Sequence, residues 1–378
     1  MRTLMSEYFG ALTAHLDTLT YPMSYLAEAY NDVEAWQAEA RAAVQKLLCV
    51  EHTVGAANAE VLDTYEQNGL TYTHVRYQEP FGLPTEGILL RPIGVEGKLP
   101  GVLALHDHGA FKYYGKEKLL YPKDHPEILH AYKDRYYGGR AWAEEVARLG
   151  YVVFVPDMWL WGSRKMGVRE MTEEYVEAVE KHPVDSPEHI AAYNVFAAEH
   201  EHIIAKILTH SGLTWPGLMV DADMRALDFL AAQANVDVEN LGCCGLSGGG
   251  LRTVFLAAMD ARIKASVCVG FMCSTRELAA YKTYIHTWMM YLPGLSHLMD
   301  FADLYALHGK KPIMVQFDEE DQLFTPKGQE EAHARLTEVY RKMGAPELYS
   351  GLFFPGPHKF DVPMQEAAFA FFDRWLKG

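Results

Sequence analysis

The residues whose types and spacing could do chemistry are a serine, an aspartate and a histidine, in that order through the second half of the 378-residue chain. Ser247 stands in Gly245-Leu246-Ser247-Gly248-Gly249, with Gly250 following. A serine hydroxyl is a weak nucleophile until a base takes its proton, so it calls for a histidine, and the histidine for a carboxylate that fixes its tautomer. Both follow apolar runs: 312–317 leads into Asp318-Glu319-Glu320-Asp321, and 348–354 leads into Pro355-Gly356-Pro357-His358. The carboxylate has to lie on the loop beyond its strand rather than at the last rung, which puts Asp321 ahead of Asp318, with Glu319 and Glu320 behind. The chemistry such a set performs is attack on a carbonyl carbon, with an acyl group held on Ser247.

That attack needs two donors for the oxygen that becomes negative. One is the N–H of Gly248, the residue after the nucleophile. The other is expected from His106-Asp107-His108-Gly109-Ala110-Phe111, which follows the apolar run 101–106. Gly109 to Phe111 are the candidates there, with Ala110 the central choice, because a glycine-containing loop lets the backbone approach a substrate closely. No cofactor and no metal are required.

These residues need a scaffold that gathers strand ends on one edge, and the pattern supplies one. Apolar runs at 101–106, 151–156, 241–246, 265–271, 312–317 and 348–354 alternate with helical patterns at 140–149, 221–232, 248–259, 329–342 and 364–376. Continuous apolar strands between amphipathic helices describe an α/β chain with a mostly parallel central sheet covered on both faces. Functional loops then lie at the C-terminal strand ends. Ahead of the sheet, residues 1–65 read as a helical N-terminal extension, with Asn31 and Glu34 as a capping box and Trp36, Ala40, Val44, Leu47 and Leu48 on one face. The remainder, 66–378, reads as one catalytic domain interrupted at about 162–220 by a helical insertion, placed as a lid or as a flank. Its main helix starts at Ser186 and Pro187 and runs through Ile207.

Strand, tight glycine turn, helix, and the order Ser247, Asp321, His358 together resemble the α/β-hydrolase superfamily over roughly residues 70–378. The branch is similar to dienelactone-hydrolase-like and acetyl-xylan-esterase-like serine esterases. The matching features are His106-Asp107-His108-Gly109, Asp157 followed by Trp161-Gly162-Ser163-Arg164, and Asp260-x-Arg262. The helical extension departs from a minimal dienelactone hydrolase, as does serine in place of that family's nucleophilic cysteine. The resemblance implies an ester hydrolase, including deacetylation of a carbohydrate or small-molecule ester. Amide cleavage and acyl transfer use the same triad and stay open. A metal-dependent hydrolase built on His106-x-His108 and a non-catalytic binding protein are the remaining alternatives.

Charge narrows the partners. Fifty acidic against 34 basic residues give a net charge of -16, which argues against nucleic acid, since phosphate binding needs a concentrated basic face. The chain shows no membrane span, and its first ten residues lack an apolar core of the signal-peptide kind. Five cysteines without CxxC spacing fit a cytoplasmic, reduced protein. The expected partner is a small-molecule ester, and a homo-oligomer is compatible with the chain. Segment 111–142 is locally basic, with Lys112, Lys116, Lys118, Lys123, Lys133, Arg135 and Arg140, which leaves room for an anionic ester. His108, Phe111, Trp161 and Trp288 are candidate substrate-binding residues, with Trp159 and Phe196 as further apolar candidates.

Overall fold

The computed structural model describes residues 5–53, 55, 57–79 and 84–378. The described residues form one nine-stranded sheet, ordered β1-β2-β3-β5-β4-β6-β7-β8-β9. Strands β1 (Glu60–Gln67), β2 (Leu70–Tyr77) and β3 (Thr85–Pro92) are antiparallel, and β3 is antiparallel to β5 (Val152–Pro156). From β5 onward, β4 (Leu99–Leu105), β6 (Val236–Leu246), β7 (Ile263–Val269), β8 (Ile313–Asp318) and β9 (Tyr349–Phe354) run parallel. This is the α/β-hydrolase fold, and the parallel part agrees with the sequence expectation within a few residues at each strand.

Alternation along the central strands divides the core into two layers. Leu103 and Leu105 of β4 and Phe154 of β5 face the helices Val33–Leu48, Trp215–Ala231, Gly248–Met259 and Pro326–Lys342. Val102, Ala104, Val153 and Val155 face the helices Ile128–Tyr137, Trp142–Arg148 and Val362–Leu376. Both faces are therefore dry, which is why these strands read as continuous apolar runs.

Two features depart from the expected extension. Strand β1 starts at Glu60, inside the stretch read as helical; its residues are exposed or half-buried and none is buried, so it carries no apolar signal. The helix Val33–Leu48 is capped by Asp32, whose side chain accepts from Ala35 N–H, not by Asn31. That helix is part of the main core: Trp36, Ala40 and Val44 are fully buried, and Arg41 Nε donates to the Ala258 carbonyl at 2.7 Å. Residues 1–4 lie outside the described residues. No helix among the described residues is long and apolar enough to cross a membrane.

The insertion forms the helices Glu173–Glu180, Pro187–Glu199 and Glu201–His210; the first two share a small core with Tyr113, Met171, Val179, Ile190, Tyr193 and Ala197 in it, while Ala205 and Leu208 of the third join the main core. Ser186 caps Pro187–Glu199 by accepting from His189 N–H, and the helical path expected from 187 to 207 is broken only at His200.

Candidate active site

Register brings the functional loops together. Leu105 at the end of β4 pairs with Gly245 near the end of β6, and Asp318 at the end of β8 pairs with Phe354 at the end of β9. The loops after β4 and β6 are therefore neighbours, as are those after β8 and β9. Glu319 N–H and Glu320 N–H donate to the carbonyls of Phe354 and Gly356, zipping the latter pair.

Ser247 sits between β6 and the helix Gly248–Met259 with φ 58° and ψ -115°, a conformation that costs a non-glycine residue about 1–3 kcal/mol. The surroundings impose it. Ser247 N–H donates to the Val269 carbonyl at 2.8 Å, and a Cβ on Gly245 or Gly249 would run into the Leu105 carbonyl oxygen. Glycine at both positions lets strand and helix close on each other around the serine.

His358 Nδ1 lies 2.6 Å from Asp321 Oδ2, and Asp321 Oδ1 accepts from Leu323 N–H at 2.9 Å. Burial opposes charge on His358, but the hydrogen bond and charge of Asp321, joined by the charges of Asp318 and Asp107, outweigh it and hold the imidazole above its ordinary value. Asp318 is the last residue of β8 and makes no hydrogen bond to His358. Its Oδ2 accepts from Lys359 N–H at 3.1 Å, its Oδ1 has no partner among the described residues, and burial pushes its carboxyl up to about 7.

The loop after β4 corrects one sequence expectation. Ala110 lines the cleft at φ 51°, but its N–H donates to His108 Nδ1 at 3.0 Å and is not free for a substrate. The N–H that faces Gly248 is that of His108: a Cβ on Gly248 would stand 2.8 Å from His108 N. The reason lies in the peptide joining Asp107 to His108. Its carbonyl, that of Asp107, is drawn inward by Lys118 Nζ at 2.9 Å and His106 Nδ1 at 3.0 Å. In a planar trans peptide the N–H points the opposite way, toward the cleft. Among the described residues no acceptor takes this N–H. Gly248 N–H, at the first position of a helix, lacks an intrahelical acceptor as well.

A cleft of about 250 Å³ joins these groups. His108, Gly109, Ala110, Ser247, Gly248 and His358 line it, while Asp321 stands behind His358. Apolar walls come from Leu246, Leu251, Phe271, Ile285, Met290, Leu323 and Phe324, and polar ones from Tyr136, His286 and Thr287. His286 Nε2 donates to the Leu323 carbonyl at 2.9 Å, and burial pulls its value down to about 4, so it stays neutral beside His358.

Further expectations do not hold in the structure. Trp161 is fully buried, with Nε1 donating to the His108 carbonyl at 3.1 Å; it supports the loop from below and does not line the cleft. Phe111 packs on Tyr114 and Tyr132, and Trp288 is exposed outside the cleft, so neither lines it. Trp159 and Phe196 pack on Trp215 and Tyr175, likewise away from it. The basic segment does not face the cleft: Lys112 pairs with Glu201, Lys116 with Asp157 and Glu117, Lys118 with Asp107, and Lys123 with Asp63. Among the described residues no lysine or arginine lines the cleft, and no residue of the 162–220 insertion does. The insertion stands behind the loop after β4. Both ring nitrogens of His106 are engaged, by the Asp107 carbonyl and by Met158 N–H, so His106 presents no lone pair to a metal.

Comparison with known proteins agrees with this architecture. The profile of the Dienelactone hydrolase family matches residues 139–351, more than half of the chain, and the protein belongs to that family. It is 25% identical over 290 residues to the Bacillus subtilis (strain 168) protein named "Putative hydrolase YtaP", covering 76% of this chain and 82% of that one. In fold it is similar to a Bacteroides fragilis NCTC 9343 structure named "putative acetyl xylan esterase" (TM-score 0.70, 16% identity, 93% of this chain and 83% of that one). It is also similar to a glucuronoyl esterase from Solibacter usitatus (TM-score 0.57, 16% identity, 90% and 93%). The chain is thus a hydrolase of the dienelactone hydrolase family with esterase-like neighbours in fold.

Proposed function

We propose that the protein is a serine carboxylic-ester hydrolase acting on small, uncharged esters. The observation that carries this is the meeting, in one cleft, of a conformationally constrained Ser247, a His358–Asp321 couple at 2.6 Å, and the uncommitted N–H groups of His108 and Gly248. Asp321 accepts the Nδ1 proton of His358, leaving Nε2 as the base. His358 takes the Ser247 proton as Oγ attacks the ester carbonyl, and the oxygen that becomes negative is held by His108 N–H and Gly248 N–H. Collapse expels the alcohol, protonated by His358. Water, deprotonated by the same imidazole, then releases the acid and regenerates Ser247.

Two features support the substrate class. The cleft lacks a lysine or arginine, so nothing in it offsets the cost of desolvating an anionic substrate. Its volume of about 250 Å³ lies below the 300–1,000 Å³ of pockets that enclose drug-sized ligands, which favours a short acyl group. Across p-nitrophenyl esters, kcat/KM for acetate or butyrate is expected to exceed that for decanoate by about tenfold or more, since each misfitting methylene costs roughly 1–3 kcal/mol. A hemisuccinate should be no better than the butyrate. Preference for decanoate or for the hemisuccinate would overturn the substrate class while leaving the triad intact.

A further inference from the structure

Glu201 opens the last helix of the insertion, yet its carboxylate, only 6% exposed, reaches two walls of the cleft. Oε1 lies 2.7 Å from His108 Nε2 and 2.7 Å from Lys112 Nζ. Oε2 accepts from Thr287 Oγ1 at 2.8 Å and from Trp288 N–H at 3.0 Å. Lys112 is itself enclosed, its ammonium 4.5 Å from the Trp161 ring centre and donating to the Ala197 carbonyl at 3.2 Å. Burial opposes charge on Glu201, but its contacts with His108 and Lys112 outweigh it and hold the carboxyl below the usual carboxylate range.

The histidine ring transmits this to the backbone. Its Nδ1 accepts from Ala110 N–H, so its proton resides on Nε2 and is donated to Glu201. One imidazole thus ties the carboxylate to the turn formed by His108, Gly109 and Ala110, in which both later residues have positive φ. The turn carries the N–H that faces Gly248.

The geometry points to Glu201 as a positioning residue: through the His108 imidazole it holds the His108 N–H at the place where the oxyanion forms, and so braces the oxyanion loop against the Thr287 rim. This rests on the serine-esterase reading above. The insertion is then a fixed strut behind the site, consistent with its absence from the cleft lining.

The test counts active sites before it measures rate. Wild type, Glu201→Gln, Glu201→Gln/Lys112→Met (which removes both buried charges together), His108→Ala and His108→Ala/Glu201→Gln are titrated with a fluorophosphonate, and p-nitrophenyl acetate turnover is expressed per labelled site. Glu201→Gln is expected to lower kcat per site by about 10- to 100-fold, less than the 10²–10³ of losing an oxyanion donor outright, with KM changed by less than about threefold. The affinity for a phenylboronic acid, whose tetrahedral adduct carries the same negative oxygen, should fall by a similar factor. In the His108→Ala background, Glu201→Gln should add nothing, because its path to the loop is already cut. Wild-type turnover per site in both Glu201 variants, or losses that multiply with His108→Ala, would overturn the proposal. A purely structural role would lower the number of titrated sites and leave the rate per site and the boronate affinity unchanged. Nitrogen-15 NMR of wild-type histidines gives a check without substitution: His108 should carry its proton on Nε2, and a proton on Nδ1 would equally overturn the assignment. Failure of wild type to be labelled at Ser247 would instead overturn the esterase reading.

Discussion

Replacing Ser247 with alanine is expected to lower kcat for p-nitrophenyl acetate by about 10⁶-fold, leaving only what binding and the oxyanion donors contribute over water. The size of the effect follows from the site. Serine at φ 58° is held there by the Val269 carbonyl and by glycines that pack strand against helix, and no other hydroxyl in the cleft stands at the end of β6. Tyr136 and Thr287 also line the cleft, but Thr287 Oγ1 is committed to Glu201, and Tyr136 stands on the far helix Ile128–Tyr137. The variant should fold as well as wild type, since alanine removes one oxygen and the glycine packing is untouched. Turnover above about a thousandth of wild type in a purified Ser247→Ala preparation would mean another nucleophile.

Asp321→Asn is expected to lower kcat by about 10⁴-fold, and the hydrogen bonds give the reason. Asp321 Oδ1 accepts from Leu323 N–H, so an asparagine keeps its carbonyl oxygen there and turns its amide NH2 toward His358 Nδ1. Nδ1 then becomes an acceptor, the ring proton moves to Nε2, and the imidazole can no longer take a proton from Ser247. Asp318→Asn is expected to act differently. The Asp318 carboxyl touches Lys359 N–H rather than the imidazole, and an amide oxygen can accept that bond equally well. The loss in kcat at alkaline pH should stay within about tenfold, the range of an indirect electrostatic effect rather than of a lost triad member.

The pH profile separates the two carboxylates further. His358 works only when neutral, so kcat/KM rises as pH climbs through its value, which Asp321 and, more weakly, Asp318 hold above the ordinary one. Asp318 itself ionises at about 7, so the acid limb of wild type reports both groups together. With asparagine at 318 one negative charge near the imidazole is gone, protonated His358 is less stabilised, and the acid limb moves to lower pH. Movement to higher pH in a pH–rate profile would reverse the assignment of Asp318.

Ser247, Asp321 and His358, which the structure brings together at one cleft, were legible because the chemistry proposed for them and their backbone demands leave marks in the sequence. A nucleophile in a turn too tight for side chains needs glycines around it, and its partners have to follow strands, so Ser247, Asp321 and His358 carried their own context. The proposed oxyanion donor did not. Whether Ala110 or His108 offers a free N–H is decided by Lys118, which captures the Asp107 carbonyl, and by a histidine ring that consumes the Ala110 N–H. Neither contact has a sequence period. Glu201 was equally hidden: it reads as one more polar residue in a helix, and only the fold brings it to His108 and Thr287 across long sequence separations. The lysines of 111–142 misled for a related reason, because composition counts their charge and cannot see the buried carboxylates that neutralise it. In the fold, the parallel strands were legible from their dry faces. Strand β1 was not, since a solvated edge strand has no apolar alternation to read.

The measurement that bears most directly on the account is covalent labelling. A fluorophosphonate reacts with a serine only where a base activates it and donors stabilise the phosphonyl oxygen, which is the arrangement assigned to Ser247. Peptide mapping by mass spectrometry after treatment of the wild-type protein should find a single adduct, on Ser247, appearing in step with loss of ester turnover. An adduct on any other residue, or full turnover with Ser247 fully labelled, would contradict it.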